Sequence, residues 1–90
     1  AGLDPAHQIA TMQMFQSLAA DGRAVLVSLH DLGLAARHCA RLVVLGQGGI
    51  QADGPPSKVL TPELVARVFG ITAYQAQTPQ GHIFQPLEVL

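Results

Sequence analysis

The feature that most constrains the fold is the apolar run at residues 24–29, Ala-Val-Leu-Val-Ser-Leu, which leads directly into His30 and Asp31. Five of its six residues are apolar and two are β-branched, which is typical of a short strand buried on both faces of a parallel sheet. Ligands bind at the carboxyl ends of such strands. The run therefore predicts a buried strand that leaves the His30 imidazole available for chemistry.

A long helix is predicted before this strand. Asp4 can cap its N-terminus, Pro5 suits its first position because no N–H partner is needed there, and Gly22 can end it. Gln16 and other polar residues are expected to face solvent. Apolar residues at helical spacing predict one buried stripe: Ile9, Met12, Phe15, Leu18 and Ala19.

The residues after the first strand predict a crossover unit. A short helix is expected over 32–39, with Asp31 in its first turn, followed by an apolar strand over 41–45. Because such crossovers join parallel strands, the two strands should lie parallel in one sheet. The glycine cluster at 46–49 then predicts a turn, and 50–52 should return as an antiparallel strand.

Residues 54–57, Gly-Pro-Pro-Ser, predict a boundary that divides the chain into residues 1–54 and 55–90. The expected fold class is α/β, with parallel strands, crossover helices and a β-hairpin in the first part. The second part is expected to add a small helix and a second hairpin.

Turn and cap residues define these last elements. Thr61 as cap and Pro62 as first residue predict a helix that ends at Gly70. The remaining residues predict a hairpin with strands at 73–77 and 82–87.

Composition narrows the functional classes. Hydrophobic residues make up 49% of the 90 residues and mean hydropathy is +0.32, so some apolar surface is expected to meet another surface. Five Lys and Arg against six Asp and Glu give no basic patch for nucleic acid. The single cysteine, Cys39, fits a reducing cytoplasm, and no apolar run approaches the roughly 18 residues of a membrane span. The chain opens at Ala1 without a methionine, so we expect it to be a piece of a longer protein.

Three stretches resemble the C-terminal part of an ABC-transporter ATPase subunit. Residues 1–5 resemble the D-loop of that family and the start of the helix that follows it, residues 25–32 its switch-histidine strand, and residues 42–54 the next hairpin. The resemblance runs through about residue 71, in the family's order and spacing. Residues 28–32, 34–37 and 60–70 look especially like the ATPases of importers of iron-siderophore, haem or cobalamin.

The resemblance implies a P-loop ATPase core and a role for His30. In the family, the histidine at this position contacts the γ-phosphate of ATP and the attacking water, across a dimer that sandwiches two ATP molecules. An imidazole placed there can stabilise developing charge through a hydrogen bond. His30 is therefore the candidate catalytic residue.

Further expectations follow from the same resemblance. Gly2, Leu3 and Asp4 match the D-loop along the dimer interface. The full-length parent would bind ATP and Mg²⁺, pair with a second ATPase subunit and attach to permease subunits. It would lie in the cytoplasm at the inner face of the membrane, without inserting into it.

Several motifs of the family do not occur in these residues. The sequence contains no Gly-x-x-x-x-Gly-Lys-Ser/Thr phosphate loop and no Leu-Ser-Gly-Gly-Gln signature. The acidic pair of the family's Walker B strand would stand just before Ala1. We therefore expect the parent to be an ATPase, and the 90 residues alone to be inactive and to require no cofactor. The sequence also has Gly33 and Ala40 where importers often carry Asn and Asp.

Other interpretations of the same residues remain open. His30 could be a structural histidine, Asp4 could serve only as a helix cap, and Asp31 could orient His30 or serve the helix dipole. The chain could be a stand-alone dimerisation module without ATPase activity. It could also be a small metal-binding domain using His30, His38 and Cys39, although no metal site is the expectation.

Overall fold

The computed structural model describes residues 4–90. Gly2 and Leu3 of the predicted D-loop lie outside the described residues. The elements follow the order α1 (Pro5–Ala20), α2 (Leu32–His38), β1 (Leu42–Gly46), β2 (Gly49–Gly54), α3 (Pro56–Val59), α4 (Pro62–Leu64, continuing as a π-helical turn over Val65–Phe69), β3 (Ile71–Thr78) and β4 (Gly81–Val89).

The predicted helix caps are confirmed. Oδ1 of Asp4 accepts the backbone N–H of His7 at 2.8 Å, and Pro5 is the first residue of α1. Oγ1 of Thr61 accepts the N–H of Leu64 at 3.1 Å. Each cap satisfies a donor that the first helical turn leaves free.

The buried stripe of α1 is only partly formed. Met12 is buried, Ile9, Phe15 and Leu18 are half-buried, and Ala19 is exposed. Gln16 is exposed, as expected, and its Nε2 donates to the carbonyl oxygen of His38 at 2.8 Å. This bond ties α1 to the end of α2.

The first predicted hairpin is confirmed. β1 pairs with β2 in antiparallel register, with Leu45 opposite Ile50. Gln47 (φ 50°) and Gly48 (φ 83°) form the two-residue turn, and left-handed φ at both positions is what a type I′ hairpin turn requires.

The second hairpin is also confirmed, and its strands are longer than predicted. β3 and β4 pair antiparallel from Ile71 opposite Val89 to Thr78 opposite Gly81. Gly70 ends the preceding helix in the left-handed conformation, at φ 67°.

The core unites most of the elements. Its largest side chain is Phe84 of β4, and its most deeply buried residue is Val65. The other members are Ala36, Val44, Val59, Leu60 and Leu64. These residues come from both sides of residue 54, and the division into 1–54 and 55–90 stays a prediction.

The predicted strand at 24–29 is not formed within residues 4–90, and its parallel pairing with β1 is not confirmed. The segment has no regular secondary structure and no strand neighbour, Leu26 is 97% exposed, and both observed sheets are antiparallel pairs. A strand buried on both faces needs strands beside it and layers above and below it. The described residues supply neither, so the mixed helix and strand content is confirmed without the parallel core.

Candidate functional site

His30 lies between the apolar segment 24–29 and the first turn of α2. Its side chain is exposed, and its ring makes no hydrogen bond to any of residues 4–90. The imidazole is therefore free to donate to or accept from a ligand.

Asp31 holds the backbone next to His30 in place. Its Oδ1 accepts the N–H of Leu34 at 3.0 Å, and its carbonyl oxygen accepts the N–H of Ala35 at 3.1 Å. These bonds make Asp31 the N-cap of α2, so its contacts serve the helix and not the His30 ring.

An open cleft of about 620 Å³ lies beside His30. One wall consists of residues 30–33 and the other of residues 84–86 in β4. His30 in the first wall is a predicted site residue, whereas Phe84, Gln85 and Pro86 in the second wall are not. No local pattern could have found them, because a strand far along the chain reaches the cleft only through folding.

α2 approaches β4 closely along this cleft. A methyl group on Gly33 would stand 3.1 Å from the carbonyl oxygen of Phe84 and 3.3 Å from Oδ1 of Asp31. At the other end of α2, Nε of Arg37 donates to the carbonyl oxygen of Gln80 at 3.2 Å. The hairpin β3–β4 thus contacts α2 at both ends.

Comparison with known proteins gives close relatives for this chain. No family model matches it. The hemin import ATP-binding protein HmuV of Photobacterium profundum is 47% identical over 79 residues, which cover 88% of this chain and 28% of the relative. The HmuV proteins of Photobacterium damselae and Rhodococcus jostii are 52% and 51% identical, over 76% and 78% of this chain and 26% and 24% of theirs. The chain therefore corresponds to a C-terminal segment of the ATPase subunits of ABC transporters.

The match covers a C-terminal part of these ABC subunits. The chain spans only about a quarter of the length of the three relatives named. All three are described as ATP-binding proteins, which does not favour a stand-alone dimerisation module. Within residues 4–90, none of the helices combines the length and apolar character that a membrane crossing requires.

A metal site formed by His30, His38 and Cys39 is not supported within residues 4–90. No three His, Cys, Asp or Glu side chains within residues 4–90 come together as possible metal ligands. Burial raises the pKa of the Cys39 thiol, which disfavours the thiolate that binds metal. His38 is buried, and desolvation followed by the nearby Arg37 charge lowers its pKa below 6.5.

Asp4 is the one predicted D-loop residue that the structure describes. It is exposed at the start of α1, where its carboxylate caps the helix.

Proposed function

We propose that this chain is the part of a haem-importing ABC ATPase that supplies the switch histidine, His30. The exposed ring of His30 at the mouth of a cleft supports this role, because it is unengaged by residues 4–90. The relatives' names, which specify hemin import and ATP binding, support the substrate class.

In the ATP hydrolysis that we propose, this segment would contribute one group, the imidazole of His30. ATP with Mg²⁺ would supply the phosphoryl group that is transferred to water. The His30 imidazole would donate a hydrogen bond where negative charge develops on the γ-phosphate, and it would orient the attacking water. The 90 residues contain no phosphate loop, so His30 would act only with residues from elsewhere in the subunit.

The same proposal gives residues 24–29 a place in the full-length subunit. Their exposed apolar side chains, Val25 and Leu26 above all, would be covered by neighbouring strands of a parallel P-loop core. His30 would then stand at the carboxyl edge of that sheet, where ligands bind.

The assembly we propose follows the family. Gly2, Leu3 and Asp4 would lie at the interface with a second ATPase subunit. That dimer would attach to permease subunits at the cytoplasmic face of the membrane, and it would couple ATP hydrolysis to uptake.

The test is made on the full-length subunit that contains this segment. We expect His30→Ala to lower kcat for ATP hydrolysis by about 100-fold or more and to leave KM for ATP nearly unchanged, because the contact matters in the transition state. His7→Ala removes another exposed imidazole and serves as the matched control, with turnover as in the wild type. Wild-type turnover in His30→Ala would refute the proposed role.

A further inference from the structure

We infer that the C-terminal hairpin β3–β4 is a positioning element for His30, acting through the close contact of Gly33 with Phe84. This inference rests on the catalytic role proposed for His30. It concerns what fixes the imidazole in space, and Gly33 is a positioning residue that touches no reactant.

The hairpin provides a fixed reference point. The Phe84 ring is buried in the core, and the Phe84 backbone pairs with Gln75 of β3. The Gln75 side chain donates in turn from Nε2 to the carbonyl oxygen of Leu60 at 2.7 Å. The carbonyl oxygen of Phe84 is therefore held from two directions.

The start of α2 contacts the carbonyl oxygen of Phe84 through Gly33. Only a hydrogen atom on Gly33 faces the Phe84 carbonyl oxygen, because a methyl group would stand at 3.1 Å. The same methyl group would press on Oδ1 of Asp31 at 3.3 Å, the oxygen that caps the helix. Gly33 thus sets the separation between β4 and the turn that begins at Asp31.

In the full-length subunit, the strand proposed for residues 24–29 would hold His30 from its N-terminal side, and α2 holds it from its C-terminal side. Within residues 4–90, the segment before His30 has no strand neighbour and the His30 ring makes no hydrogen bond. The residue after it, Asp31, is fixed to α2 by two hydrogen bonds. A displacement of the α2 N-terminus is consequently passed to His30 through one peptide unit.

Replacing Gly33 by alanine separates positioning from stability. Alanine is the better helix former by about 1 kcal/mol, and this gain offsets the crowding of the capping oxygen of Asp31. The contact with Phe84 must open by a few tenths of an ångström, and the α2 N-terminus yields because Phe84 is anchored. Small misplacements of a catalytic group have large costs in rate.

The experiment compares Gly33→Ala with Gly49→Ala in the full-length subunit. A methyl group on Gly49 meets nothing within 4 Å, and Gly49 has no left-handed φ, so this variant is the matched control. For Gly33→Ala we expect kcat for ATP hydrolysis to fall by about tenfold or more, with KM for ATP within about twofold of wild type. The thermal unfolding midpoint should stay at or above the wild-type value, and Gly49→Ala should match wild type throughout.

Each outcome decides the inference. Unchanged kcat, a parallel rise in KM or a lowered unfolding midpoint in Gly33→Ala would overturn it. If Gly33→Ala does not fold, Arg37→Met loosens the other end of the contact by removing the bond to Gln80, and wild-type kcat in that variant would overturn it. If His30→Ala leaves ATP turnover unchanged, the proposed function of His30 is refuted. If His30→Ala lowers turnover but Gly33→Ala does not, only the positioning role of Gly33 is refuted.

Discussion

Nη1 of Arg37 lies 3.4 Å from Nε2 of His38, the next residue along α2. A guanidinium can only donate, so the contact requires Nε2 to accept and the ring to be neutral. His38 is 8% exposed, and Gln16 from α1 binds its carbonyl oxygen. The end of α2 is therefore built around an uncharged imidazole beside a cation.

This arrangement predicts an acid-sensitive fold. Desolvation first and the Arg37 charge second hold the pKa of His38 below 6.5 in the folded chain. The unfolded chain binds the proton at a higher pH than the folded chain does. The free energy of unfolding therefore falls as the pH drops below about 6.5, and the loss is complete once the pH is below the folded pKa of His38.

Chemical denaturation of the 90-residue chain between about pH 5 and pH 8 measures the effect. We expect His38→Asn to flatten the pH profile. Arg37→Met should weaken the dependence without abolishing it, because burial is the larger cause. A His38→Asn profile as steep as that of the wild type would contradict the assignment.

The type I′ turn gives a prediction about backbone strain. Gln47 carries a side chain at φ 50°, where asparagine is better tolerated, so Gln47→Asn should raise the free energy of unfolding by up to about 1 kcal/mol. Gly48 has φ 83°, and Gly48→Ala should lower the free energy of unfolding by about 1 kcal/mol or more.

Gly49→Ala is the control for that turn. Gly48 has a left-handed φ, whereas Gly49 does not. A methyl group added to Gly49 meets nothing within 4 Å. We expect its stability to stay within about 0.5 kcal/mol of wild type. Urea denaturation should rank the three variants Gln47→Asn, Gly49→Ala and Gly48→Ala from most to least stable. Equal free energies of unfolding for the two alanine variants would rule out backbone strain at position 48.

Local chemistry explains which parts of the fold were predictable. The caps at Asp4 and Thr61 and the turn after β1 depend on residues within three or four positions, and sequence patterns carry that information. The cleft beside His30 depends on contact with Phe84, which no local pattern records. The failure at residues 24–29 has another cause, because apolar composition shows that a segment tends to be buried but does not supply the strands that bury it.

Leu26 tests whether residues 24–29 are buried in the full-length subunit, because its surroundings should differ between that subunit and the 90-residue chain. In the 90-residue chain its side chain is 97% exposed, so Leu26→Ala should change the free energy of unfolding by less than about 0.5 kcal/mol. In the full-length subunit, where we propose a buried strand, the same change should cost about 2–5 kcal/mol. Val44→Ala is the control, since Val44 is buried within the 90 residues and should destabilise both proteins. Equally small effects of Leu26→Ala in the two proteins, measured by urea denaturation, would mean that residues 24–29 are not a buried strand of the parent.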